Sequence, residues 1–302
     1  MFSVSPHTRA VLQALFVTLL WSSSWVLIKQ GLEDIPALTF AGLRYVLATI
    51  CLLPLAIRRG ALRDLRHLPR REWAELIAFG LIFYTVTQGS QFLGLERLPA
   101  VTTSLLLSFS PVMVALLGIA LLGEGITRAQ WGGIALYLAG VLVYFYPVQI
   151  PAREVVGIAI VLVGVLSNAA GTVMGRGINR RRTLSPLAVT VASMGIGSVV
   201  MLAAGIVTQG MPVLSVQNWA IIVWLAVVNT AVAFTLWNLT QRTLSAIETS
   251  IINNTMLIQI AILAWIFLGE RLGARAILGL ALAATGTLIV QLRRSNKKTT
   301  GA

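Results

Sequence analysis

Trp21, Ser24, Tyr84, Gln88, Ser104, Ser108, Asn168, Thr172, Trp237, Asn253 and Asn254 are the side chains of this sequence best suited to do chemistry, and all are neutral. Thr103, Ser110, Asn229, Asn238 and Gln259 extend the same set. Each sits in a stretch that is otherwise apolar. Tyr84/Gln88 and Asn168/Thr172 are i, i+4 pairs, so both members share one helix face. Amides and hydroxyls donate and accept without ionising, so they can pair an ammonium and a carboxylate together with no fixed counter-ion. A pocket of such groups, walled by Trp and Tyr, suits a zwitterion with an apolar or aromatic side chain.

Other chemistries lack their residues. The two histidines, His7 and His67, both lie in basic segments, and the one cysteine, Cys51, excludes an internal disulfide or a Cys-cluster zinc site. No carboxylate falls near the centre of an apolar stretch, which argues against a cation/proton antiporter built on a titrating midplane acid. An intramembrane enzyme would need a buried nucleophile–base pair or a metal cluster, and neither is present in the apolar stretches. The reading is of a non-enzyme without metal or cofactor. Arg44 is the one clearly embedded charge. It lies eight residues past Pro36, about 12 Å along a helix axis. Structural anchoring, to an interhelical acid such as Glu33 or to backbone carbonyls, is the favoured account of it. Glu248 and Lys29 stand near helix ends, where they can snorkel to headgroups.

The elements that must carry these residues follow from composition. Of 302 residues, 57% are hydrophobic and 11% charged, and mean hydropathy is +0.86. A soluble domain carries roughly a quarter charged residues, so the chain reads as an all-α membrane protein. Stretches of roughly 20 apolar residues span a bilayer. Ten are expected, over 10–29, 36–57, 73–94, 99–121, 129–147, 154–175, 185–208, 218–240, 246–268 and 273–292. The first resembles a signal peptide only superficially: Trp21 and Trp25 occupy the place where small residues would be cleaved, so it reads as a retained helix. The net charge of +13 would suggest nucleic acid in a soluble protein, but here it is distributed by side. With the N-terminus inside, the inner segments hold 17 cations against five acids, and the outer ones hold five of each. That asymmetry puts both termini in the cytoplasm of a multi-pass inner-membrane protein.

Sliding the sequence by 146 positions superposes its halves. Leu98, Ala100, Thr103, Ser104, Leu122, Gly123, Glu124, Gly133 and Gly140 fall on Leu244, Ala246, Thr249, Ser250, Leu268, Gly269, Glu270, Gly279 and Gly286. Each unit, 1–148 and 149–302, holds five helices, an odd number, so the two must cross the bilayer in opposite senses. Inverted repeats of this kind are the architecture of secondary transporters, with a substrate site near the midplane. Pro111, in the middle of the fourth helix, removes a backbone hydrogen bond and is the expected conformational hinge.

The Leu20-Trp21-Ser22-Ser23-Ser24-Trp25 segment, the Pro36…Phe40…Arg44-Tyr45 spacing and the two Leu-Gly-Glu helix ends resemble the EamA-type branch of the drug/metabolite transporter superfamily, over residues 10–292. Within that branch the chain looks like the YddG-type exporters of aromatic and other amino acids. The resemblance implies ten helices, with helices 1, 3, 4, 6, 8 and 9 and parts of 2 and 7 around a central cavity, and helices 5 and 10 peripheral. It also implies export of small metabolites by alternating access. A drug or other metabolite exporter of the same superfamily, coupled to a gradient, is the alternative. Met194 occupies the place of Arg44's counterpart in the second half. The bland readings stand beside these. Trp73, Trp131, Tyr144, Tyr146 and Trp219 read as interface anchors, and any Ser or Thr of the set can bond its own helix. Gly171-x-x-x-Gly175 reads as internal packing; Gly279-x-x-x-Ala283 reads as a dimer face or as nothing. The partners are a small-molecule substrate and the lipid bilayer, and nothing in the sequence requires more than a monomer.

Overall fold

A computed structural model describes residues 5–66, 68–122, 127–147, 151–181, 183–240, 243–244 and 246–295. Gly123 and Glu124 of the first Leu-Gly-Glu end lie outside these residues, as do the side chains of Asn238 and Ser250. Among the described residues the regular structure is helical. The long segments are α1 (Pro6–Gly31), α2 (Ala37–Arg58), α3 (Arg70–Arg97), α4 (Ala100–Leu107 continued by Ser110–Leu122), α5 (Arg128–Phe145), α6 (Ala152–Arg180), α7 (Pro186–Gln209), α8 (216–240), α9 (Ala246–Asn254 continued by Met256–Leu268) and α10 (Ala274–Ser295). Eight of them are long and apolar enough to cross a membrane, and Val216–Val232 of α8 is a shorter apolar run. Large apolar side chains stand exposed at helical spacing, among them Leu12, Phe16 and Leu19 on α1 and Ile258, Ile262, Trp265 and Ile266 on α9. Such stripes are natural against lipid and an aggregation hazard in water.

Local chemistry sets the helix starts. Pro36, Pro69 and Pro99 precede α2, α3 and α4, and Pro186 opens α7. Proline fits there because the first helical N–H groups have no intrahelical partner. Thr127 and Gln130 form a reciprocal capping box on α5, while Ser185 and Ser215 cap α7 and α8. At the end of α9, Gly269 takes the left-handed conformation (φ +68°), which costs a glycine little. That turn lets the carboxylate of Glu270 accept the backbone N–H groups of Ala100 (2.5 Å) and Val101 (3.1 Å) at the start of α4. The acid thus meets two unpaired donors and the positive end of a helix dipole.

The chain folds as two compact units. One comprises Met1–Val26, Leu98–Val155 and Val232–Ala302; the other comprises Leu27–Arg97 and Val156–Ala231. Glycine closes the main helix crossing in each. In the first unit α5 packs on α10: a Cβ added at Gly140 would lie 2.6 Å from the carbonyl oxygen of Gly279, and one at Gly133 would lie 2.8 Å from that of Gly286. The small-residue face of α10 is therefore an internal seam with α5, which corrects the expectation of a dimer face or no role. In the second unit α2 packs on α7, where a Cβ at Gly42 would lie 2.5 Å from the Cα of Leu202. Gly171 and Gly175 pack on Phe83 and Phe79, as internal packing requires.

Among the described residues four helices are irregular, at matched positions. α3 contains a π-helical turn at Gly80–Val86 and α8 contains one at Val227–Val232, with starts 147 residues apart (227 − 80). α4 breaks at Ser108–Phe109 and α9 at Thr255; Phe109 and Thr255 are 146 apart (255 − 109). In α4, Phe109 bonds back to Leu106 (3.1 Å), so the carbonyl of Leu105 is released from the helix ladder. It accepts the hydroxyls of Ser108 (2.6 Å) and Tyr137 (2.7 Å). Pro111 has no N–H for the Leu107 carbonyl, and the hydroxyl of Ser110 donates to it instead (2.8 Å). In α9 there is no proline. Thr255 bonds to Ile252 through both its N–H (3.1 Å) and its hydroxyl (2.6 Å), tightening one turn.

Candidate functional site

In the first unit Trp21 of α1 and Trp237 of α8 come together. The ring of Trp21 lies 5.1 Å from that of Trp237 and 5.3 Å from that of Phe234, a tilted aromatic group of the usual attractive spacing. Beside it Gln259 ties α1 to α9. Its amide oxygen accepts the hydroxyl of Ser22 (2.9 Å), and its amide nitrogen donates to the hydroxyls of Thr18 and Thr255 (3.1 Å each). The amide is thus saturated by side chains at the break of α9. Such a group is a fastener, and Gln259 carries more of this cluster than its neighbours Asn253 and Asn254. Asn253 is exposed, and Asn254 donates to the carbonyl of Ala284 on α10 (2.7 Å). Ser24, Ser104 and Ser108 donate to carbonyls three residues back in their own helices, the bland outcome for hydroxyls in a helix.

The second unit brings a different set together. Tyr45 donates to the amide oxygen of Gln88 (2.7 Å), and its ring meets that of Tyr84 edge-on at 6.0 Å. Arg44 places its guanidinium 5.2 Å from the centre of the Tyr45 ring, an ordinary cation–π distance. Asn168 and Thr172 face the same side of α6 and bond each other at 3.3 Å. Tyr84 and Gln88 are therefore together; Asn168 and Thr172 form a separate pair of the same unit.

Arg44 is 6% exposed and is the one charged side chain among the described buried residues. It has no ion pair among the described residues, so the expected anchoring to Glu33 is not formed. Its Nη2 donates to the hydroxyl of Thr230 at 3.4 Å, a long hydrogen bond, and its Nε has no partner among the described residues. Thr230 belongs to the π turn of α8 and itself donates to the carbonyl of Leu225 five residues back (2.9 Å). The arginine thus abuts an irregular turn of the kind that recurs at functional sites. Its place in the sequence and the adjacent Tyr45 were legible, but Thr230 as its neighbour was not. No spacing rule links α2 to α8, and a single Thr in an apolar run gives no sign of a π turn.

Long apolar helices, irregular at their middles and carrying neutral hydrogen-bonding groups, define a polytopic membrane protein. The family model described as EamA-like transporter family matches residues 8–146 and again 155–292; the chain belongs to that family. It is 29% identical over 204 residues to an uncharacterized transporter, YvbV, of Bacillus subtilis, covering 68% of this chain and 65% of that protein. It is 27% identical to an S-adenosylmethionine/S-adenosylhomocysteine transporter of Chlamydia trachomatis, over 83% of this chain and 79% of the other. It is also 27% identical to a probable terminal-alkyne amino-acid exporter of Streptantibioticus cattleyicolor, over 96% of each. A crystal structure that is 19% identical shares the fold at a TM-score of 0.66, over 94% of this chain and 98% of the other.

Proposed function

We propose that this transporter exports small molecules with an α-amino-acid head, neutral and aromatic amino acids among them, across the cytoplasmic membrane. Ten helices in two inverted repeats, 1–148 and 149–302, with both termini cytoplasmic, would work by alternating access. The observation that carries the substrate class is chemical. The molecules named for two relatives, S-adenosylmethionine or S-adenosylhomocysteine and an amino acid, share an ammonium and a carboxylate on one carbon. This chain offers neutral amides, hydroxyls and aromatic rings with one buried guanidinium. Support for the repeats comes from the two family matches and from helix irregularities about 146 residues apart. Support for the orientation is the excess of inner cations. Trp21, Ser24, Tyr84, Gln88, Ser104, Ser108, Asn168, Thr172, Trp237, Asn253 and Asn254 are the proposed substrate residues, and Pro111 is the proposed conformational hinge.

The test is transport by the purified protein. Proteoliposomes should exchange labelled phenylalanine, leucine and S-adenosylmethionine faster than protein-free liposomes. Equal rates across a full amino-acid panel would overturn the substrate class.

A further inference from the structure

Arg44 is equipped to hold something the described residues do not supply. A guanidinium presents five N–H donors in a planar fork. Here one of them makes a 3.4 Å contact with the Thr230 hydroxyl, and Nε makes none among the described residues. The side chain is nonetheless 6% exposed, and its Nε is fully enclosed. A buried charge is ordinarily paired or neutralised, and arginine does not lose its proton in proteins. The Tyr45 ring offsets part of the charge, but a ring face accepts no in-plane fork. The fork matches a carboxylate, which it can engage through two parallel hydrogen bonds.

We infer that Arg44 is the receptor for the carboxylate of the transported molecule, with Thr230 and the Tyr45 ring holding its guanidinium in place. The inference rests on the amino-acid reading for the identity of the solute, but the anion site stands apart from it. Gln88, fixed through its amide oxygen by the Tyr45 hydroxyl, donates its amide N–H groups to none of the described residues and keeps them for a second acceptor. In the second half Met194 stands eight residues past Pro186, as Arg44 stands eight past Pro36, and is 2% exposed, so the receptor is single and a bound zwitterion has one orientation.

Three probes separate the charges of the solute: phenylalanine, 3-phenylpropionate (carboxylate without ammonium) and phenylalaninamide (ammonium without carboxylate). Binding is measured to the full chain in phosphatidylcholine nanodiscs. The wild type should bind both carboxylates at least tenfold more tightly than the amide. Arg44→Gln should weaken both carboxylates at least tenfold and leave the amide unchanged, and Arg44→Lys should recover part of the loss. The lysine variant also answers whether the glutamine variant has merely misfolded. Equal binding of phenylalanine by wild type and Arg44→Gln would overturn the inference, as would an equal loss of all three probes in both variants. Replacing chloride by isethionate should leave the difference between wild type and variant intact; its disappearance would mean the arginine is held for a halide and would sink the carboxylate assignment. Should amino acids fail to be transported while 3-phenylpropionate still requires Arg44, the anion site survives and the amino-acid reading falls.

Discussion

The Gln259 cluster of one unit and the Arg44 cluster of the other are built from similar parts and differ in completeness. Around Gln259 both ends of the amide are occupied, by Ser22 on one side and by Thr18 and Thr255 on the other. Around Arg44, among the described residues, a full charge is met by one long hydrogen bond and a ring. A saturated polar group fixes a fold, and its worth is the desolvation penalty avoided. An undersupplied buried charge costs the fold, by several kcal/mol for an isolated ion, so its retention points to a ligand. Polarity inside a membrane protein is therefore informative only after its partners are counted.

The comparison breaks most completely if either unit loses its frame. Gly140→Val and Gly42→Val each force a side chain to within 2.6 or 2.5 Å of facing backbone. Overpacking against backbone that cannot yield should cost on the order of 3 kcal/mol or more. Both variants should fail to give a monodisperse protein on size-exclusion chromatography. A well-behaved Gly140→Val protein would mean that α5 and α10 do not pack through these glycines.

Gln259→Leu sharpens the contrast next. It strands the fully buried Ser22 hydroxyl and should lower stability by about 2 kcal/mol, read as a drop in apparent Tm. Phenylalanine affinity should change less than twofold once folded protein is compared. Pro111→Ala tests the hinge with a smaller effect. Because α9 breaks at Thr255 without a proline, the break in α4 should persist, and exchange in proteoliposomes should slow by about threefold. An unchanged exchange rate would remove Pro111 from the mechanism. Smallest of all is Glu75→Gln. The Glu75 carboxylate bonds Arg181 at 2.6 Å and raises its pKa, through the hydrogen bond first and the charge second. Arg181 is exposed and cationic at any working pH, so exchange should not change and its pH profile should be that of the wild type.

How much of this the sequence could disclose depends on the kind of signal. The helix bounds were legible because hydropathy, Pro36, Pro99, Pro186 and the caps Ser185 and Ser215 act locally. The matched breaks were half legible: Pro111 marks α4, but Thr255 weakens α9 only through hydroxyl and backbone bonds that no single residue type announces. The π turns at Gly80–Val86 and Val227–Val232 left no pattern to read, since each is one residue of slack in an apolar run. The face of α10 was misjudged because a small-residue stripe says that something packs closely and never says what. Of the candidate site, Tyr84 with Gln88 and Trp21 with Trp237 were reachable by spacing and composition. The saturation of Gln259 and the poverty of Arg44 were not, because both are properties of neighbours from distant helices.

Arg44, on the inference above, is kept for a ligand and not for the fold. Replacing it by methionine, an apolar side chain of similar reach, and measuring the apparent Tm of the purified protein without solute tests this most directly. Removal of an unpaired buried charge should leave Tm unchanged or raise it, while phenylalanine added to saturation should stabilise only the wild type. A fall in Tm as large as that of Gln259→Leu, with phenylalanine stabilising both proteins equally, would contradict the account.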